Sequence, residues 1–476
     1  MDNKYKIMKY RPGILLWVFF IGAVGLRFLL YWANLPSNAF DNHFDPIFWI
    51  MKYGTLPSKD AFWQSYQPPV FYVISAMIGK LAINLGTEIR LLPKILQFMS
   101  CLYGILTIGF VYLILKKIPL SDFSRMLAFG SVCFLPRHIY LSAMHSNDTI
   151  AALSVALCVY LMMIALERKL SYPTIITLSI SITITLFTKY TSFVVLPMAL
   201  TILVPFLLQR IIIPRKKLIN AFLLLIIVPI LFLSAYCYSN IKKYDLPLPW
   251  NSHIVAPAET QARTETGLSF LTFTPWKTIR TPILAPWNMD SFWTLIYSRM
   301  MFDMEPKFLP FIDQEVTLPW WINYYQWLRG ERGFPSSIQL SSFTYFTGSA
   351  LIAIGLVPLL LIIIGAYVSV FGDFGALSKV SVEGAIRSQI FIVLFLFNAL
   401  GIMALAIKSS VFSSVKATYF IGSIPALSVF LGLGVMSCEK NRIIKWILAL
   451  IFGVFFILVA LHIIHIAYSL DFSLGI

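Results

Sequence analysis

Apolar residues run along this chain in long blocks, many close to the ~20 residues with which a helix crosses a bilayer. Eleven blocks predict spanning helices, at 13–33, 93–115, 125–143, 149–166, 173–188, 190–208, 218–239, 344–370, 387–407, 417–436 and 443–467. A further apolar run, 68–86, opens on Pro68 and Pro69. Whether it crosses decides the side of every later loop. Charge answers the question, because short cytoplasmic loops retain Lys and Arg. If 68–86 stays on one side, the N-terminus and the segments 116–125, 167–169, 209–217, 371–387 and 438–445 fall together and hold 18 Lys/Arg against 6 Asp/Glu. The segments on the other side hold 18 Lys/Arg against 15 Asp/Glu. If 68–86 crossed, the basic loops after it would lie opposite the basic N-terminus. The run is therefore expected to be a juxtamembrane helix, started by the prolines and laid with its apolar face in the interface.

Two long segments then face outward, 34–92 and 240–343. The second is rich in Trp and Pro and too long for a passive connector. It is expected to fold as a small extracytoplasmic cap. The predicted organisation is a core module at 1–239 with its first outer loop at 34–92, the cap at 240–343, and C-terminal spanning helices at 344–476.

Composition excludes soluble classes. Hydrophobic residues make up 58% of the 476 and charged residues 12%, where a soluble domain carries about 25% charged. Mean hydropathy is +0.79. The first block contains Arg27 and lacks a small-residue cleavage site, so it reads as a retained helix, not a signal peptide. The net charge of +16 follows from basic residues kept on the cytoplasmic side, without nucleic acid as a partner. Cys101, Cys133, Cys158, Cys237 and Cys438 show neither metal-ligand spacing nor a disulfide framework.

On this topology the unusual polar residues gather on one face. Asp41, His43 and Asp45 follow the first helix. "RHIYLSAMHSNDT" brings Arg137, His138, His145, Asn147 and Asp148 to the next outer turn, and Lys189 occupies another. Lys408 and Lys416 flank the last outer loop. Ionisable groups at membrane level are costly and face a cavity or a partner. Carboxylates and lysines on one face suggest an anionic substrate with a group to be deprotonated. Each residue also has a plainer explanation. Asp41, Asp45 and Asp148 suit helix starts, His43 a satisfied structural position, and the lysines snorkelling at helix ends.

The order of these motifs resembles the GT-C class of integral-membrane glycosyltransferases, nearest to bacterial relatives of the protein O-mannosyltransferases and of the aminoarabinose transferase of lipid A. The residues carrying the resemblance are the acidic stretch after the first helix, "YGTLP", "YQPPVFYVISA", "SNDTIAALSVAL", "TKYTSFVVLP" and "KATYFIGSIPALSVFLGLG". It covers most of 13–436 and is weakest in 240–343. It implies an all-α polytopic GT-C fold and a polyprenyl-phosphate sugar donor used at the outer face. It also implies a catalytic base on the first-loop aspartate, for which Asp41 is the matching position. Two departures stand out. Asn42 follows Asp41 where the eukaryotic mannosyltransferases have an Asp-Glu pair. Thr418 precedes Tyr419 where many bacterial relatives have arginine, so Lys416 is the candidate replacement.

The chemistry expected is inverting single displacement, with Asp41 deprotonating the acceptor hydroxyl while polyprenyl phosphate leaves. Arg137, Lys189, Lys408 and Lys416 are the candidate phosphate cations. Substrate contacts are further expected from His43, Asp45, Tyr66, Gln67, His145, Asn147, Asp148, Tyr190 and Tyr419. Asp148 or His43 could orient the acceptor or hold a divalent ion such as Mg or Mn. No cofactor is certain, and whether a metal is needed stays open. Sugar and acceptor, whether glycan, lipid or protein, are not legible. The rival class is a lipid or sugar transporter or flippase. Such a protein carries paired charges at mid-membrane, whereas here the helices are nearly charge-free apart from Arg27. The expected location is a prokaryotic plasma membrane with the N-terminus cytoplasmic.

Overall fold

The computed structural model describes residues 13–36, 42–207, 213–249, 267–284, 290–302, 341–371, 382–408 and 415–469. Among the described residues all regular structure is helical. Eight segments are long and apolar enough to cross a membrane: Ile14–Ala33, Ile89–Lys117, Asn147–Glu167, Arg215–Tyr244, Ser342–Phe371, Gln389–Ile407, Ala417–Cys438 and Arg442–Ser469. They correspond to eight of the eleven expected spans.

The other three are realised as shorter pieces. The run 125–143 is broken into α5 (Asp122–Cys133) and α6 (Pro136–Ser142). Pro136 has no N–H to continue the ladder, and it starts a new helix well. The runs 173–188 and 190–208 become α8 (Tyr172–Leu186) and a tight helical turn, Tyr190–Val194, leading into α9 (Val195–Leu207). The earlier helices are α1 (Ile14–Ala33), α2 (Phe44–Tyr53), α3 (Val70–Asn84) and α4 (Leu92–Lys117); α7 (Asn147–Glu167) lies between α6 and α8.

The break at Pro136 explains Arg27. Ending α5 leaves carbonyls of its last turn without intrahelical partners. The fully buried Arg27 reaches across from α1. Its Nη1 donates to the carbonyls of Ala23 (2.9 Å) and Cys133 (3.0 Å), and its Nη2 donates to His138 Nδ1 at 2.8 Å. A cation at a helix C-terminus also complements the helix dipole. The charge inside α1 is thus a pin that holds the broken span.

Hydrogen bonds fix which helix ends lie together. At one end, Lys117 pairs with Glu167 (2.7 Å) and Ser124 donates to Glu439 (3.0 Å). At the other end, Asn34 donates to the Ala143 carbonyl (2.6 Å), and Gln97 donates to the carbonyls of Asn34 (3.1 Å) and Ala143 (2.7 Å). Lys94 donates to the Asn34 carbonyl (2.8 Å), and Lys189 meets Asp148 there. This is the grouping of loops inferred from charge. It also settles α3. Val70 N donates to the Phe187 carbonyl at 2.9 Å, at the C-terminal end of α8. The chain leaving α3 enters α4 beside the C-terminal end of α1. Both ends of α3 therefore belong to one end of the bundle, and α3 does not cross it.

α10 (Arg215–Phe222) runs through a single π turn, Leu223–Ile227, into α11 (Val228–Tyr244). In the region 240–343 the described pieces are α12 (Pro275–Arg280) and α13 (Phe292–Met301), preceded by a short turn at Leu268–Leu271. Phe292, Leu295, Ile296 and Phe302 belong to the main buried core. The fully buried Arg299 donates to the Val415 carbonyl at 2.5 Å. These pieces are stitched into the bundle, while the remainder of the expected cap lies outside the described residues. The C-terminal part comprises α14 (Ser342–Ile354), α15 (Leu356–Phe371), α16 (Val382–Lys408), a tight turn at Ala417–Ser423, α17 (Ile424–Cys438) and α18 (Arg442–Ser469). α15 and α17 touch backbone to backbone. A Cβ at Gly365 would overlap the Phe430 carbonyl, and one at Gly434 the Leu361 carbonyl. Small residues permit such approach between membrane helices.

Candidate functional site

The polar end of the bundle is assembled from four segments: the first loop (42–69), the α6–α7 turn (143–148), the turn after α8 (187–190) and 415–419. Tyr190 is the join between the first and third. Its hydroxyl donates to the Tyr66 carbonyl at 2.9 Å, and the two rings lie 6.3 Å apart.

At the centre is an ion pair. Lys189 Nζ lies 2.5 Å from Asp148 Oδ1, with side chains 7% and 10% exposed. The other carboxylate oxygen, Oδ2, accepts from the Ser146 hydroxyl at 2.9 Å. Ser146 is also the N-cap of α7, accepting from Asp148 N, so Asp148 sits in the first turn, where the helix dipole favours a carboxylate. The Lys189 ammonium lies over the Tyr419 ring, 5.1 Å from its centroid, a cation–π distance. Tyr419 is held there by the tight turn 417–423, which opens the span Ala417–Cys438.

Arg137 is fully buried on α6. Its Nε and Nη2 both donate to Thr418 Oγ1, at 3.0 and 2.5 Å. The Thr418 hydroxyl thus receives a guanidinium from a different segment. Lys416, half-buried, begins the same turn.

His43 is buried, with Nδ1 3.0 Å from the Tyr72 hydroxyl and its ring edge-on to Phe71. His145 stacks on Phe44 with centroids 4.8 Å apart. Its Nδ1 donates to the Leu96 carbonyl at 3.1 Å, which leaves Nε2 as the acceptor, and no described residue occupies it. Burial pushes the His145 imidazole down to about 4, so it is neutral at physiological pH. Asn147 is fully enclosed, and neither its amide oxygen nor its nitrogen has a described partner. Buried polar atoms are nearly always bonded, so Asn147 and His145 Nε2 are open contacts beside the ion pair. Asp45 lies in the first turn of α2, accepting from Asn42 at 2.7 Å. Gln67 Nε2 donates to the Tyr66 hydroxyl at 2.6 Å.

Asp41 lies outside the described residues, as does the side chain of Lys408, whose backbone closes α16. The other sequence candidates belong to the four segments and their junctions. Sequence reading missed Lys59. Its Nζ donates to the carbonyls of Tyr66 and Gln67, both at 3.1 Å, and to the Tyr236 hydroxyl at 2.7 Å. In "LPSKDAFWQ" it looks like any loop lysine, and nothing local marks it. The described residues do not fit a divalent ion. No three His, Cys, Asp or Glu side chains among them cluster, and both oxygens of Asp148 are engaged.

No family model and no curated protein matches the chain. Solved structures do. The oligosaccharyltransferase of Archaeoglobus fulgidus in its apo form aligns with 96% of this chain at 12% identity and a TM-score of 0.52. The same enzyme tethered to an acceptor peptide containing the NVT sequon aligns with 96% at 11% identity and 0.51. The chain spans 56% of that enzyme's length in each case, little more than half. ArnT from Cupriavidus metallidurans in its apo state aligns with 89% of this chain and 78% of its own at 14% identity, with a TM-score of 0.36. The archaeal matches establish the fold. The chain has the all-α polytopic GT-C architecture.

Proposed function

We propose that the chain is an inverting glycosyltransferase. It moves a sugar from a polyprenyl-phosphate donor to an acceptor hydroxyl, with Asp41 as general base. The observation that supports this most is the docking of the first loop onto the end of a GT-C bundle that holds Lys189, Arg137 and Lys416. These cations are suited to a phosphate that gathers charge as it leaves, and in a water-poor site such charges act strongly. Positioned base catalysis contributes roughly 10²–10⁴-fold. Asp148 holds Lys189 in place, and Asn147 and His145 Nε2 offer hydrogen bonds to sugar hydroxyls. The isoprenoid tail would lie against the apolar helix faces. No step is assigned to a metal ion.

The described basic loops that carry Lys117 and Arg125, joined through Lys117 to Glu167 and through Ser124 to Glu439, lie at the bundle end opposite this site. The positive-inside bias therefore assigns the site to the extracytoplasmic face of a plasma membrane, with the N-terminus inside. The described pieces of 240–343, tied through Arg299 to Val415, lie on the same side, and the segment is the natural selector of the acceptor.

The test uses purified protein in nanodiscs with radiolabelled polyprenyl-phosphate sugars and host membrane extract. Wild type is expected to release label from the lipid, and Asp41→Asn to bind donor without transferring. Equal transfer by both would remove Asp41 from the mechanism.

A further inference from the structure

The segment 54–69, between α2 and α3, folds over the C-terminal turns of α11 and encloses a cavity of about 220 Å³. Among the described residues, the charged side chains that line it are Lys59 and Lys243, and no described carboxylate does. A hydrogen bond from Ser58, and to a smaller extent the Lys243 charge, hold the Asp60 carboxyl below the usual carboxylate range, but Asp60 is exposed and not part of the wall. Lys59 spends its donors on Tyr66, Gln67 and Tyr236, so it offers charge but no free N–H. Lys243 is exposed, with its amine 5.5 Å from the Tyr244 ring centroid, and keeps its donors for a ligand.

Two polar atoms of the wall are buried with no partner among the described residues, Ser65 Oγ and Gln67 Oε1. Each residue is only 7% exposed. Ser65 and Gln67 both line the cavity, and an unpaired buried polar atom on each is a hydrogen-bond position that a ligand bringing hydroxyls would satisfy. Tyr72, Tyr236 and Tyr244 also line it, each with an apolar ring face and a polar tip. The cavity joins the site already described. Tyr72 reaches from the wall to His43, and the Tyr66 carbonyl that holds Lys59 also receives Tyr190.

We infer that this cavity is a subsite for one ring of an anionic sugar, on the acceptor side of the transfer proposed above. The volume falls below the ~300–1,000 Å³ of sites for drug-sized ligands, which suits a single ring. Hydroxyl, amide and tyrosine walls suit a polyol. The exposed Lys243, with Lys59 carrying only part of a charge because burial lowers its amine to about 7, favours a carboxylate or phosphate on the ring over a neutral sugar. The assignment to the acceptor side rests on the transferase reading; the binding itself does not.

The experiment is saturation-transfer NMR on the full chain in nanodiscs, titrated with glucose, glucuronic acid, glucose 6-phosphate and inorganic phosphate. Both acidic sugars are expected to bind, and the stronger of the two identifies the acid group. Glucose and phosphate alone are each expected to bind at least about tenfold more weakly, the worth of one charge-assisted hydrogen bond. Lys243→Ala, an exposed change, should weaken the acidic sugars by about tenfold and leave glucose unaffected. Ser65→Ala should weaken acidic sugars and glucose alike. No binding by any sugar, equal binding of glucose and the acids, phosphate alone matching the sugars, or an unchanged Lys243→Ala would overturn the inference. No donor lipid is present. Sugar binding is therefore read apart from transfer, and a failure of the transferase reading would not alter this result.

Discussion

Lys189→Met would leave the Asp148 carboxylate in a nearly water-free setting, with its ammonium partner gone from 2.5 Å away. Breaking a buried pair from one side costs about 3–5 kcal/mol, because the surviving charge is uncompensated. Asp148 would keep the Ser146 hydroxyl and its place in the first turn of α7, where the dipole returns about 0.3–1 kcal/mol. Lys189→Met is therefore expected to destabilise by about 3 kcal/mol, at the low end of that range. Asp148→Asn should cost a similar amount, offset in part by the Tyr419 ring beneath Lys189, a contact worth roughly 0.5–2 kcal/mol. Neutralising both together removes the pair with its desolvation penalty, so the double variant should be more stable than either single change. The assay is a double-mutant cycle by chemical unfolding in detergent, read beside transfer from labelled donor. The double variant should fold and yet fail to transfer. Single variants within 1 kcal/mol of wild type, or additive costs, would refute the buried-pair argument. A folded double variant with full transfer would make the pair structural only.

Thr418→Val keeps side-chain shape but removes the acceptor of two Arg137 bonds. It should cost about 1–3 kcal/mol of stability and raise the apparent donor KM, measured by melting and transfer kinetics. Gly365→Ala forces a methyl against the Phe430 carbonyl and should destabilise by about 1–3 kcal/mol or more; Gly453→Ala, where nothing lies within 4 Å, should leave the melting temperature unchanged. Desolvation, with a smaller contribution from Lys243, lowers the Lys59 amine to about 7. Between that value and the ordinary lysine range near 10.4 the unfolded chain binds more protons than the folded one. Stability should therefore rise with pH across this window, at up to about 1.4 kcal/mol per pH unit. Unfolding midpoints from pH 6.5 to 9.5, compared with Lys59→Met, test the sign; a fall with rising pH in wild type alone would contradict it.

The polar cluster at one end of the bundle was legible in outline and not in its pairings. His145, Asn147, Asp148, Lys189, Arg137 and Tyr419 stand out because a polar residue near a membrane helix end is improbable without a reason. Nothing in the sequence says that Lys189 is held by Asp148, 41 residues away, or that Arg137 meets Thr418, 281 residues on. Lys59 was invisible because an ordinary lysine in a polar loop carries no signal until α11 packs over it. Arg27 looked like a lone charge in an apolar helix. Its meaning depends on a break in another helix, at Pro136, and on His138, 111 residues distant.

By itself the sequence determined eight of the long spans, the expected grouping of the loops by charge and the non-crossing α3. Each of these follows from a sum along the chain: apolar transfer free energy over about twenty residues, and basic charge counted loop by loop. Such sums need no knowledge of neighbours. The tertiary structure decided the contacts between segments: the clamp of Lys189 between Asp148 and Tyr419, the meeting of Arg137 with Thr418, and the cavity under the first loop. These depend on which helix faces meet and how closely. That is set by packing choices such as Gly365 against Phe430, made between residues that are distant in the chain.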